Sequence, residues 1–125
     1  MNSWLITQWV CPHMGRYKLN SDGCCKGNPG EGGGGSILRD DTGQVVFACA
    51  DYYANKTNSC AEAKALLQGL QVCKEKGFHH IDIEVDSLML KNVIVGSTTT
   101  PWGIVCEVRK IKNLLDCMEY TIAHT

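Results

Sequence analysis

Within "NSCAEAKALLQGLQVCKEKG" (58–77), Ala63, Leu66, Leu67, Leu70 and Cys73 recur at i, i+3, i+4, i+7 and i+10. That spacing predicts one helix with a single apolar stripe. Gly77 follows Lys74 and Lys76, the residue types that helix C-termini favour. Such a stripe has to be buried against another layer, and the neighbouring segments read as strands. In "YKLNSD", Tyr17, Leu19 and Ser21 alternate with Lys18, Asn20 and Asp22, a period of two that puts Asp22 near the end of a strand. Pro29 and Gly30 of "GNPG" suit the central positions of a type II turn. "GGGSILRD" and "QVVFACAD" then flank "DTG" as a hairpin.

After the helix, "HIDIEVDS" alternates Ile81, Ile83 and Val85 against Asp82, Glu84 and Asp86. "SLMLKNVIV" reads as a short helix. Thr100 and Pro101 suit an N-cap and first turn, opening a helix with Ile104, Val108, Ile111 and Leu115 on one face. "MEYTIAH" is a last strand. The predicted order β-β-β-α-β-α-α-β describes an α/β fold: a mixed five-stranded sheet with helical crossovers. Residues 1–15 show no sustained period and read as a lead-in to a domain over 16–125.

A chain of 125 residues suits one domain, and 44% hydrophobic with 20% charged residues is ordinary for a globular one. The formal net charge is −1, so no global basic field gathers nucleic acid; polyanion binding has to come from local geometry or bound metal. Eight cysteines invite a disulfide framework, but several fall at apolar positions of strands and helices, and no C-x-x-C pair occurs. The opening "MNSWLITQWV" lacks a basic n-region, and no run approaches a membrane span. The expectation is a reduced, intracellular, soluble domain with no membrane partner.

Asp22 ends the first strand, Glu62 falls in the first turn of the long helix, and Asp86 ends the fourth strand. If those strands are parallel neighbours, all three acids meet at one sheet edge. Clustered carboxylates repel unless protons or cations intervene, and oxygen-only ligand sets suit Mg²⁺ or Mn²⁺. Paired ions of that kind activate water and stabilise a leaving oxygen in phosphodiester cleavage. Each acid also has a plainer explanation. "SCAE" fits a capping box, with Glu62 serving only the backbone of Ser59. Asp22 could belong to an Asx turn, and Asp86 could cap the next helix.

"KLNSDGCCKGNPGEGGGGSILRDDTGQ", "TNSCAEAKALLQGL" and "IEVDS", in that order, resemble the ribonuclease H-like domain common in plants, including copies carried by retroelement reverse transcriptases. Trp9, Pro12 and Gly15 resemble that subgroup's lead-in. The resemblance implies a ribonuclease H-like fold and cleavage of the RNA strand of RNA/DNA hybrids. It implies Mg²⁺ (or Mn²⁺) as cofactor, with Asp22, Glu62 and Asp86 as catalytic and metal-holding acids. It also implies substrate contacts at Gly27 and Asn28, near the minor groove where 2′-hydroxyls mark RNA, and at Thr57 and Asn58. The family's fourth acid lies on a final helix, and "TIAHT" ends with His124 and Thr125 before it. The expected domain is therefore C-terminally truncated.

Two functions of different class follow. One is a metal-dependent hybrid endonuclease, its activity open to impairment by truncation. The other is a catalytically poor remnant that binds nucleic acid or protein, self-associating through an apolar sheet face left uncovered. The glycine-rich loop after Asp22 lacks the G-K-[ST] ending of a phosphate-binding P-loop. Among other residues, Glu84 shares a strand face with Asp86, and Arg109, Lys110 and Lys112 read as a solvated helix face. Trp102 reads as a core or covering residue.

Overall fold

The computed structural model describes residues 15–27, 30–56 and 58–125, with backbone alone at 23–27, 30–32, 51–56 and 58. The lead-in up to residue 14 lies outside the described residues, as do positions 28, 29 and 57. The elements are β1 (Tyr17–Gly27), β2 (Gly30–Arg39), β3 (Val45–Lys56), α1 (Asn58–Lys76), β4 (His80–Val85), α2 (Leu88–Val95), a 3-10 turn (Trp102–Ile104), α3 (Val105–Leu115) and β5 (Glu119–His124). Their order is the one the periodicities predict. The five strands form one sheet in the order β3-β2-β1-β4-β5. The first three pair antiparallel, whereas β4 pairs parallel with both β1 and β5.

Register explains the core. Leu19 pairs with Leu38 on one side and Ile83 on the other, and Ile83 pairs with Ile122. The stripe on α1 packs over this apolar row, with Ala63, Leu66, Leu70 and Cys73 fully buried. Ile104, Val108, Ile111 and Leu115 complete the core from the α3 side. Contact between α1 and β2 is close enough to demand glycine. A Cβ on Gly69 would lie 2.7 Å from Ser36 Oγ, the hydroxyl that donates to the Ala65 carbonyl at 2.8 Å. Gly77, at φ 81°, ends α1 by donating its N–H to the Lys74 carbonyl.

Four local expectations are corrected. The first strand does not end near Asp22 but continues to Gly27, with Asp22 opposite Gly35 and Gly23 opposite Gly34. Low β-propensity is overridden here because β2 hydrogen-bonds on both sides, Gly34 also pairing with Asp51 of β3. Helix α1 begins at Asn58, so Glu62 sits in its second turn, not its first. Pro101 precedes a 3-10 turn, and α3 starts only at Val105. The N-cap of α2 is Ser87 rather than Asp86, its Oγ accepting from the Leu90 N–H at 3.0 Å.

The sheet face away from α1 is apolar only in part: on β2 and β3 it carries Ile37 and Ala48, in one cross-strand row with Asn20. Across β1, β4 and β5 it carries Lys18, Asn20, Asp82, Glu84 and Thr121. Lys18 Nζ pairs with Glu84 Oε2 at 2.9 Å, and Asn20 Nδ2 donates to Glu84 Oε1 at 2.9 Å. Arg16 Nε and Thr121 Oγ1 both donate to Asp82 Oδ1, at 2.9 and 3.0 Å. Among the described residues, Cys49, Cys60, Cys73, Cys106 and Cys117 are free thiols, and burial pushes Cys73 up to about 12. No described helix is long and apolar enough to cross a membrane.

Candidate active site

The parallel ladder between β1 and β4 ends with Ser21 opposite Val85. Both strands run the same way, so the next residue on each, Asp22 and Asp86, emerges at the same rim, on strands about 4.8 Å apart. Beyond this point β4 stops while β1 continues, paired only with β2. Strand β5 ends here too, with His124 opposite Val85 and the Thr125 N–H donating to the Val85 carbonyl at 3.0 Å. The acids therefore stand where the sheet narrows from five strands to three.

Helix α1 crosses one face and brings the half-buried Glu62 to the same rim. Its carboxyl is pushed from an ordinary 4.5 to about 7, mainly by burial, and further by the negative charges of Asp22 and Asp86. A hydrogen bond from Ser87 works in the opposite direction. The three acids are thus brought together electrostatically, as their positions in the sequence predict. Glu62 reaches across to Ser87, a different role from the capping-box bond to Ser59. Because its folded value is raised, Glu62 favours folding while protonated. That contribution is full below about 4.5 and is lost as pH rises through about 7.

Ser87 is the functional-site residue that motif reading passed over. It caps α2 and steadies Glu62 with the same side chain. The detectable signal was a serine directly before the apolar run of the short helix. Glu84, despite sharing a strand face with Asp86, is engaged by Lys18 and Asn20. Asn58 opens α1 one turn ahead of Glu62. Gly27 lies at the end of β1, five residues past Asp22 and so about 16 Å further along the strand. Asn28 and Thr57 lie outside the described residues. Trp102 is neither core nor cover: it is 93% exposed.

The donor set is all oxygen, and the charges of Asp22 and Asp86, added to burial, disfavour ionised Glu62 in a way that a divalent cation would relieve. In donor type and charge the rim fits Mg²⁺ or Mn²⁺. Its spacing is open: among the described residues, no three His, Cys, Asp or Glu side chains are gathered closely enough to enclose one ion.

Comparison with known proteins agrees with this architecture. A family model described as reverse transcriptase-like matches residues 20–125. The Arabidopsis thaliana "Putative ribonuclease H protein" is 38% identical over 92 residues, covering 74% of this chain and 14% of that protein. Ribonuclease HI of Halobacterium salinarum is 32% identical over 96 residues, covering 76% of this chain and 48% of that one. The chain thus spans about half the length of the archaeal relative and a smaller share of the plant one. Among solved structures, ribonuclease H1 from H. salinarum superposes with a TM-score of 0.82 at 27% identity, over 89% of this chain and 86% of that one. LC11 ribonuclease H1, solved in complex with an RNA/DNA hybrid, superposes at 0.80 with 21% identity, over 87% and 84% of the two chains.

Proposed function

Since this chain belongs to the reverse transcriptase-like family and has the ribonuclease H fold, we propose that it is a metal-dependent endonuclease acting on the RNA strand of RNA/DNA hybrids. The single observation carrying the proposal is the convergence of three acids: Asp22 and Asp86 follow the parallel pair Ser21–Val85 on adjacent strands, and both act electrostatically on Glu62.

In this reading Asp22, Glu62 and Asp86 hold Mg²⁺ or Mn²⁺, which when bound supplies neutralising charge and activation of water for phosphodiester cleavage. Asp22 is set within β1, opposite Gly35, and Asp86 directly follows the end of β4, so the sheet fixes their backbone separation before substrate arrives. Glu62 is set by α1, and Ser87 restrains its carboxylate. With its carboxyl pushed up to about 7, Glu62 would be shared between protonated and ionised forms near neutral pH, and nearby cationic charge would favour the ionised form. Gly27, Asn28, Thr57 and Asn58 are proposed substrate contacts along the β1–β2 hairpin and the start of α1. We also propose that residues 16–125 form the domain unit, working in a reduced, intracellular, soluble setting.

The test is cleavage of a labelled RNA/DNA hybrid with Mg²⁺ and with Mn²⁺, comparing the parent chain with Asp22→Asn. We expect a loss of roughly 100-fold or more, the scale of removing a charge aimed at the reacting group. Equal rates end the enzymatic claim.

The open spacing of the acids among the described residues favours a second reading, a weakly catalytic or inactive binding module. Magnesium titration followed by NMR separates the two, since a module that only binds nucleic acid shows no joint response at Asp22, Glu62 and Asp86. Self-association through the face away from α1 is a further part of this reading. Sedimentation tests it, and a monomer at all concentrations excludes it.

A further inference from the structure

A second concave site lies at the end of the sheet opposite the carboxylate rim. Tyr120 stands near the start of β5, paired with Ile81 at the start of β4, whereas the acids lie at and beyond Val85 at that strand's end. Strand rise puts the two places about 13–16 Å apart. Here the last turns of α2 and α3 meet β5 around a cavity of about 300 Å³, lined by Ile94, Val95, Lys112, Leu115, Asp116 and Tyr120. Ile94 and Leu115 belong to the buried core, while Val95 and Tyr120 are 51% and 37% exposed. Single exposed apolar residues are ordinary on a protein surface. Two of them on one cavity, above buried aliphatic side chains and beside a few polar groups, have the composition of a small-molecule site.

The charged residues define what the cavity takes. Lys112 and Asp116 stand at i and i+4 at the end of α3, the spacing at which helix side chains meet. They form no ion pair with each other, and among the described residues neither side chain has another partner. Asp116 is the C-cap of α3, and the last residue of α2, Val95, lines the same cavity. A carboxylate beside two helix C-termini is held against both dipoles, and an ammonium group would relieve that repulsion. Lys112, one turn back, offers its own ammonium to a carboxylate. We propose that this cavity binds a free α-amino acid with a bulky apolar side chain. The ligand's ammonium meets Asp116, its carboxylate meets Lys112, and its side chain lies against Ile94, Val95, Leu115 and the Tyr120 ring. A ligand with one charge leaves Lys112 or Asp116 unanswered, and one without an apolar body leaves Val95 and Tyr120 wet. Size agrees, since about 300 Å³ is the lower bound for small-molecule sites and admits leucine or phenylalanine.

Titration of the isotope-labelled chain with L-phenylalanine and L-leucine, followed by NMR, tests the assignment. Three controls each lack one feature: glycine the apolar body, phenylpropionate the ammonium, and phenethylamine the carboxylate. Saturable shifts at Val95, Lys112, Asp116 and Tyr120 are expected for both amino acids, with a dissociation constant on the order of 1 mM for ligands so small. Each control should bind about tenfold more weakly. Lys112→Gln should weaken L-phenylalanine about tenfold and leave phenethylamine unchanged, whereas Asp116→Asn should weaken L-phenylalanine and leave phenylpropionate unchanged. Both side chains are exposed, so thermal midpoints should stay near the parent's. Absence of saturable shifts overturns the proposal, as do controls that match the amino acids. Shifts at these residues that grow with protein concentration alone would seat a second copy in the cavity and overturn it too. The site lies away from Asp22, Glu62 and Asp86, so hybrid cleavage assayed separately can fail or succeed without changing this outcome.

Discussion

Strand β4 carries two kinds of acid within five residues. Asp82 and Glu84, on the face away from α1, are each met by a cation and a neutral donor: Arg16 with Thr121, and Lys18 with Asn20. Asp86, one step past the strand's end, instead lies near two further carboxylates, and burial first, then the charges of Asp22 and Asp86, push Glu62 up to about 7. The first group is an interior solution, in which each charge is answered where it sits. The second brings three carboxylates near one rim, where the charges of Asp22 and Asp86 act on Glu62.

The contrast predicts opposite signs for charge removal in the two regions. The largest effect is expected at Lys18→Met, which leaves part-buried Glu84 without its cation. Denaturant unfolding should show a loss of about 2–3 kcal/mol, and a loss below about 0.5 kcal/mol would make the ladder ornamental. Next is Gly69→Ala, which lifts α1, and Glu62 with it, away from the sheet. Helix propensity gains under about 1 kcal/mol, but a Cβ 2.7 Å from Ser36 Oγ should cost more, for a net loss of about 1–2 kcal/mol. An unchanged midpoint would mean that Ser36 simply swings aside.

Ser87→Ala removes an N-cap and a donor to Glu62 together. About 1 kcal/mol of stability should be lost, and the carboxyl of Glu62 should titrate still higher by NMR. The smallest effect carries the sharpest sign. Without metal, Glu62→Gln should be neutral below about pH 4.5 and stabilising above about pH 7, because it removes a charge that the folded state holds reluctantly. A destabilised variant at pH 8 would place Glu62 among the compensated acids and dissolve the comparison.

Reading the chain before its fold succeeded where the controlling physics is local. The stripe on α1 and the alternation of β4 depend on residue period, and both are found with their expected faces inward. Boundaries fared worse where pairing decides. The first strand reads as ending near Asp22, yet it runs to Gly27 because β2 pairs with it along that whole length. Ser87 was easy to overlook because its second role, holding Glu62, joins residues 25 apart in the chain. Trp102 was misplaced for a related reason: an aromatic beside a core helix is ordinarily buried, and only the orientation of the 3-10 turn turns it outward.

The sequence by itself determined the kinds of element, their order and the identity of the three acids, because propensity, period and side-chain chemistry are properties of short segments. The meeting of those acids was decided by tertiary structure alone. It follows from a parallel register between β1 and β4 and from the close seat of α1 on Gly69. Both are long-range packing outcomes, and a slip of one residue in that register would turn Asp86 to the other face of the sheet.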